Sequence, residues 1–178
     1  IGVPVGLLFG YSHTIYDIFE FAVEFFRAIP VTALFPLFLL IFGIGNASKI
    51  AMITCGAMIL IIVNTMHGVH NLRKLRLTAS RLLGLKNTGL FLHVILPEAA
   101  PHIITGFRLA LSYSLVIAIV TEMFVSANTG IGYSIINAQF IYDTPTMYMG
   151  IITAGFIGFI LNKLVLAFEN RYIHWKGV

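Results

Sequence analysis

The feature that most constrains this chain is an almost unbroken apolar stretch from Phe25 to Met66, in which only Arg27 and Lys49 carry charge. A helix crosses the hydrocarbon core of a bilayer with about 20 apolar residues, so this stretch is too long for one crossing. The Gly-Ile-Gly-Asn segment at 43–46 is a turn signal that divides it into a helical hairpin. Pro30 and Pro36 predict kinks in the first arm.

Composition and two further apolar runs extend the membrane assignment. Only 10% of the 178 residues are charged, whereas soluble domains have about 25%. Thr105–Phe124 and Met147–Phe168 are each long enough to cross, and the apolar Ile1–Phe9 is half a span. We therefore expect an all-α membrane protein, a multi-span bundle of about five transmembrane helices. We expect a single transmembrane domain over residues 1–178 that lacks its native N-terminal segment.

The basic residues predict the orientation. The connection 67–108 holds six of the eleven Lys and Arg residues, namely Arg73, Lys74, Arg76, Arg81, Lys86 and Arg108. Because cytoplasmic loops are enriched in basic residues, this connection is predicted to be cytoplasmic. The connection 125–146 has no Lys or Arg and is predicted to be external. Arg171 and Lys176 then place the C-terminus in the cytoplasm.

Two further patterns concern helix surfaces. Small residues recur at fourfold spacing in three spans, which predicts close helix packing; they are Gly106, Ala110, Ser114 and Ala118, then Gly150, Ala154, Gly158 and Asn162, then Ala47, Ala51 and Cys55. In Tyr11–Arg27, one face carries Asp17, Glu20, Glu24 and Arg27. This charged face predicts a helix that leaves the membrane or lies along its cytoplasmic surface.

The cytoplasmic connection, 67–104, carries the most specific motif. Leucines at helical spacing predict a short amphipathic helix that ends at Gly84, where glycine can adopt the left-handed conformation. A second helical piece is predicted from Asn87 or Thr88 to Leu96. Pro97 then opens the next helix, with Glu98 in its first turn.

These residues resemble the conserved cytoplasmic loop of permease subunits in ATP-binding-cassette importers. That loop reads Glu-Ala-Ala, three residues, Gly, nine residues, Ile-x-Leu-Pro. Here Gly84, Leu96 and Pro97 match in register, while Thr78, Ser80 and Val94 replace Glu, Ala and Ile. The segments around Pro30 to Gly45 and Gly130-Ile131-Gly132-Tyr133 are similar to the type I branch that imports nitrate, sulfonates, taurine or related solutes.

The resemblance implies a multi-pass permease of the bacterial inner membrane that forms the path for a small solute, an anion such as nitrate, bicarbonate, sulfonate or taurine. Its partners would be a second permease copy, cytoplasmic ATPase subunits and an external solute-binding protein, with no nucleic acid. ATP and Mg would bind to the partner ATPase, and this chain would hold no cofactor and no catalytic site. The coupling helix would dock on the ATPase through Thr78, Ala79, Ser80, Leu83, Gly84, Leu85, Val94, Leu96 and Pro97.

Other candidates lie in the spans and the external connection. Translocation-path candidates are Asn64, Tyr113, Ser114, Thr121 and Glu122. Glu122 has three open interpretations: it lines the path, it is structural, or it pairs with a basic group such as Lys49. Candidate contacts for the binding protein are Gly130, Gly132, Tyr133 and Asp143. The six histidines are interpreted as interfacial polar residues, so no metal site is predicted.

Two alternatives stay open. An ATP-independent secondary transporter or channel would use ionisable residues in the middle of its spans. An intramembrane enzyme would use Glu98, Glu122 or the histidines. Neither the solute nor the choice between homodimer and heterodimer follows from the sequence.

Overall fold

The computed structural model describes residues 1–72, 80, 82, 84–85, 87–124 and 129–172. Every regular element in these ranges is helical, so the predicted all-α class is confirmed. The α-helices are α1 (Gly2–Tyr11), α2 (His13–Ala28), α3 (Phe35–Phe42), α4 (Asn46–His70), α5 (Asn87–Leu90), α6 (Leu96–Phe124), α7 (Ile131–Phe140) and α8 (Thr144–Tyr172). A 3₁₀ turn, Val31–Leu34, precedes α3, and a π-helical turn, Phe91–Ile95, joins α5 to α6.

Three helices are long and apolar enough to cross a membrane by themselves. They are Asn46–His70, Thr88–Phe124 and Thr144–Arg171. A helix rises about 1.5 Å per residue, so each exceeds the roughly 30 Å of a hydrocarbon core. The second arm of the hairpin and the two later spans predicted from the sequence are therefore present as continuous helices.

The first arm of the hairpin is broken rather than a plain span. Thr14–Ala28 and Val31–Phe42 meet at an angle of 76°. The break lies at Pro30, which has no N–H for a helical hydrogen bond and disfavours helical backbone in the residue before it. The kink predicted for this arm is thus present, and the described residues contain three uninterrupted spans, or four if the bent pair counts as one.

The tight hairpin turn is confirmed at Gly43 and Gly45. Their φ values are +74° and +149°. Residues other than glycine adopt such positive φ values only at an energetic cost. The Ser48 hydroxyl donates a hydrogen bond to the Gly45 carbonyl over 2.9 Å, which stabilises the first turn of α4. The turn therefore depends on local backbone chemistry that the sequence shows directly.

The chain divides into two compact units. Unit 1 comprises Ile1–Ala28, Met58–Leu109 and Ala167–Val178. Within it, α1 lies along α4: β-carbons added to Gly2, Gly6 and Gly10 would lie 3.0, 2.6 and 2.7 Å from side-chain atoms of Ile61, Thr65 and Val69. Both series advance in steps of four in the same direction, so the two helices run parallel at close backbone approach.

Unit 2 comprises Ile29–Ala57 and Ala110–Leu166. Within it, glycines again mark the helix contacts. A β-carbon at Gly56 would lie 2.5 Å from Ile117, one at Gly150 would lie 2.6 Å from Ile135, and one at Gly158 would lie 3.1 Å from Leu115. Gly150 and Gly158 belong to the small-residue stripe predicted in α8, so that stripe does pack against neighbouring helices.

Candidate functional site

The predicted coupling helix ends at Gly84, as its stop signal indicates. Gly84 has a φ of +86°, and the Leu85 N–H donates to the Ser80 carbonyl over 3.1 Å. A hydrogen bond from an N–H to the carbonyl five residues earlier, around a glycine in the left-handed conformation, is the Schellman motif that terminates a helix. Thr78, Ala79 and Leu83, three of the predicted coupling residues, lie outside the described residues.

Gly84 is required for its conformation rather than for packing against the described residues. No atom of the described residues lies within 4 Å of the position that a β-carbon on Gly84 would take. The space beside this stop is therefore open on the described surface of the protein, and a side chain there is limited by backbone strain alone.

The far end of the loop is anchored in a hydrophobic cluster of unit 1. Its buried members are Val69, Leu72, Leu90, Ile95 and Ala99. Val94, one of the predicted coupling residues, packs against this cluster together with Leu7 of α1. Leu72, before Gly84 in the chain, and Leu90, after it, thus belong to the same hydrophobic cluster.

A wide turn carries the chain into α6 at Pro97. Proline has no N–H, and its ring clashes with the carbonyl four residues earlier in an α-helix. The π-helical turn Phe91–Ile95 lengthens the spacing here: the Leu96 N–H bonds to the Phe91 carbonyl, five residues back. α6 therefore begins at Leu96 with Glu98 in its first turn, as predicted, although Thr88–Phe124 continues as one long helix.

Aromatic and histidine side chains join α2 to the end of α4, just before the loop. The Tyr16 and His70 rings stack with centroids 3.5 Å apart, and the Tyr16 hydroxyl donates to Glu20 over 2.8 Å. His67 Nε2 lies 4.0 Å from Glu24 Oε1. No group of three or more His, Cys, Asp or Glu side chains arranged to hold a metal ion occurs among the residues described.

The translocation-path candidates fall in both units. Asn64 of unit 1 donates its amide to the Leu60 carbonyl over 2.8 Å. In unit 2, Thr121 is 1% exposed and donates to the Ala118 carbonyl over 2.9 Å. Tyr113 packs beside Gly56, and Ser114 is half-buried. Asn64 and Thr121 therefore satisfy their donors within their own helices.

Glu122 has a structural partner on the connection 125–146, which the sequence predicts to be external. Its Oε2 accepts a hydrogen bond from the Gly132 N–H over 2.9 Å, at the beginning of α7. Gly130, with a φ of +128°, and Gly132 leave room for this carboxylate and for the Ile119 carbonyl, since a β-carbon on either glycine would collide with them. The sequence singled out Glu122, Gly130 and Gly132 but did not predict that they touch.

The external connection also contains α7, which the sequence did not predict. Asp143, a predicted binding-protein contact, accepts a hydrogen bond from the Thr146 N–H over 3.3 Å and so caps α8. Tyr133 is partly exposed. Large side chains at the end of α7 and just after it are exposed: Phe140, Ile141 and Tyr142 are 73%, 66% and 91% exposed. Three large apolar residues in succession within an external loop are the signal that sequence reasoning missed.

A buried ion pair was also missed. Arg108 Nη1 of α6 lies 3.6 Å from Glu169 Oε2 of α8, and Glu169 is 2% exposed. Both residues belong to unit 1. Glu169 lies near the end of an apolar helix, and an acidic residue in that position indicates that a basic partner is nearby.

Comparisons with known proteins agree with these observations. Residues 2–174 match the family described as "Binding-protein-dependent transport system inner membrane component". A "Probable ABC transporter permease protein" of Brucella abortus (strain 2308) is 32% identical over 99% of this chain and 70% of its own length. The "Taurine transport system permease protein TauC" of Escherichia coli (strain K12) is 31% identical over 99% of this chain and 64% of its own length.

The fold is shared with a solved transporter. A chain of the MetNI methionine ABC transporter in inward-facing conformations superposes with a TM-score of 0.75, at 23% identity, over 98% of this chain and 85% of that chain. This likeness confirms the multi-span helical fold. The taurine permease among the relatives agrees with the branch that these residues resemble. The chain belongs to the family of inner membrane components of binding-protein-dependent transport systems.

Proposed function

We propose that this chain is the permease subunit of an ATP-driven importer, and that it couples the passage of a small solute to partner ATPase subunits through the connection 67–104. The observation that carries the proposal is the termination at Gly84. Its left-handed glycine and its Ser80–Leu85 hydrogen bond form a defined helix termination, and no described atom lies within 4 Å of the position of a β-carbon on Gly84. A helix end of this kind can seat in a partner's groove and transmit a displacement.

The base of the loop supports the same role. Leu72 near the start of the connection and Leu90 and Ile95 near its end share a buried cluster with Val69 of α4 and Ala99 of α6. A force on the loop therefore reaches two spans through packed side chains rather than through a flexible linker. This chain binds no cofactor in the proposal, and ATP and Mg are bound by the partner ATPase.

The composition of unit 1 supports the proposed orientation. It contains the end of α4, the start of α6 and the last turns of α8, which are the ends that the basic residues assign to the cytoplasm. The C-terminus is accordingly proposed to be cytoplasmic, in a multi-pass inner membrane protein.

The proposed external partner is a solute-binding protein. The Phe140-Ile141-Tyr142 tip extends the predicted contact around Gly130, Gly132, Tyr133 and Asp143. Tyr142 has a φ of +58°, and a strained non-glycine residue that is also exposed favours a functional surface.

The proposed path and solute complete the assembly. A second copy of this chain supplies the other half of the path, beside α4 and α6, because so few helices enclose no route by themselves. The solute is proposed to be a small anion, with a sulfonate such as taurine as the first candidate, on the strength of the taurine permease among the relatives.

The test is uptake into vesicles that contain the permease, its ATPase and its binding protein, with radiolabelled taurine, methanesulfonate and nitrate as probes. We expect uptake that requires ATP and no ion gradient. Gly84→Asp is expected to leave the protein in the membrane and abolish ATP-driven uptake, because an added carboxylate fills the space where the partner docks. Uptake by this variant at the wild-type rate would refute the coupling role, and uptake driven by a gradient without ATP would favour a secondary transporter.

A further inference from the structure

Residues 144–171 of α8 are exposed or half-buried, with one exception. Among residues 144–171, Glu169 is the one residue classed as buried, at 2% exposure, while Leu164 and Phe168 close to it are 62% and 54% exposed. Exposed apolar side chains on a spanning helix are in a favourable environment, since lipid surrounds them. A buried carboxylate has the opposite character, because it must be paired to remain charged.

Arg108 of α6 supplies the pairing. The two charged groups approach to 3.6 Å between Nη1 and Oε2, with side-chain exposures of 30% for Arg108 and 3% for Glu169. Within unit 1, this pair ties the last turns of α8 to α6.

Arg108 stands on the helix that leaves the coupling loop. Thr88–Phe124 is one continuous helix, and its first turns, through Leu90 and Ile95, are part of the loop's hydrophobic cluster. A helix is stiff along its axis, so a displacement of its beginning moves Arg108 as well. The ion pair is therefore placed where that displacement can pass to α8.

We propose that the Arg108–Glu169 pair is a positioning contact that makes the end of α8 follow α6 during the ATP-driven cycle. The inference rests on the proposed function and names two residues that act within it. An ion pair suits this task because it can set the register between two helices. Breaking it should leave α8 in the membrane but free it from the movement of α6.

The experiment measures whether α8 follows α6 in the permease–ATPase complex. Spin labels are placed at Leu92, which is 51% exposed, and at Asn170, which is exposed, in a Cys55→Ala background. Their separation is measured by pulsed electron paramagnetic resonance without nucleotide and with ATP and vanadate. In the otherwise wild-type protein we expect the same distance in both states. In Glu169→Gln we expect it to shift on nucleotide addition by roughly 1–5 Å, the range of helix shifts in switching proteins.

Controls separate positioning from simple stabilisation. Arg171→Gln removes an exposed charge two residues away and should behave like the wild type. A purely stabilising pair would lower the melting temperature of Glu169→Gln without making the distance depend on nucleotide, and that result would overturn the proposal. If Glu169→Gln does not insert, the exchanged pair Arg108→Glu with Glu169→Arg decides: it should restore insertion and the nucleotide-independent distance, and failure to do so counts against the proposal.

Uptake in the same vesicles separates this inference from the function on which it rests. We expect Glu169→Gln to hydrolyse ATP but to import about tenfold less solute per ATP, in line with the coupling energies carried by residues between sites. If the wild type imports no probe on ATP, the proposed function fails and takes this inference with it. If the wild type imports and Glu169→Gln imports as much per ATP, only the positioning role is refuted.

Discussion

The Glu122 carboxylate accepts a hydrogen bond from the Gly132 N–H over 2.9 Å and so holds the beginning of α7 against the end of α6. A helix begins with N–H groups that have no partner within the helix. An acidic side chain can accept a hydrogen bond from one of them, and its negative charge interacts favourably with the positive end of the helix dipole. The charge of Glu122 therefore has a structural use, which is one of the three interpretations that the sequence left open.

Replacing Glu122 tests that use. Glu122→Ala should destabilise the first turn of α7 by about 1 kcal/mol, the usual effect of losing a cap. Glu122→Gln keeps an acceptor oxygen and should lose less. The measurement is hydrogen–deuterium exchange of peptides that contain Gly132, and Ser134→Ala, which removes only the local bond to the Gly130 carbonyl, is the matched control. If Glu122→Gln impairs uptake without changing exchange, Glu122 lines the path instead.

Gly6 tests the close approach of α1 to α4. A β-carbon there would lie 2.6 Å from Thr65 Cβ and 2.8 Å from the Ile62 carbonyl oxygen. Because backbone cannot yield easily, Gly6→Ala should lower stability by about 1–3 kcal/mol, the usual range for overpacking. Thermal unfolding in detergent measures the change.

The matched control is Gly155 of α8. No described atom lies within 4 Å of its β-carbon position, so Gly155→Ala should be neutral or stabilising by up to about 1 kcal/mol through helix propensity. Equal behaviour of the two variants would mean that α1 does not pack on α4 as described.

Tyr142 tests the strained exposed tip. It lies two residues after the end of α7 with a φ of +58°, and hydrogen bonds from Tyr142 N–H to Gln139 and from Asp143 N–H to Ala138 close the turn. Tyr142→Asn should stabilise this turn by about 1 kcal/mol, since asparagine tolerates the left-handed conformation better. Slower exchange of the Asp143 amide measures the gain.

The same variant tests the proposed contact with the binding protein. If the tip is a docking surface, Tyr142→Asn should reduce the stimulation of ATP hydrolysis by the binding protein although the turn is more stable. Phe124, which is 71% exposed, provides a control aromatic residue of the same unit, and Phe124→Asn should leave that stimulation unchanged.

The features that could be predicted from the sequence depend on local backbone conformation. The turn at Gly43 and Gly45, the break at Pro30 and the helix stop at Gly84 each depend on the backbone preference of one residue, and all three are present. The π-helical turn before Pro97 was not predicted, because a proline can end a helix or be carried through it on a widened turn. Packing of Val94 and Ile95 into the cluster of unit 1 selects the second outcome.

The sequence by itself determined the membrane class, the positions of the long spans, the hairpin turn and the family, because hydropathy, turn residues and motif spacing are properties of short segments. Only the tertiary structure decided what Glu122 and Glu169 contact, which helix the glycines of α1 approach, and where the external connection is exposed. These contacts join residues of different helices. A buried charge can pair with any suitable group, and a glycine allows the close approach of any neighbouring helix. Packing alone therefore determines which neighbour each of them contacts.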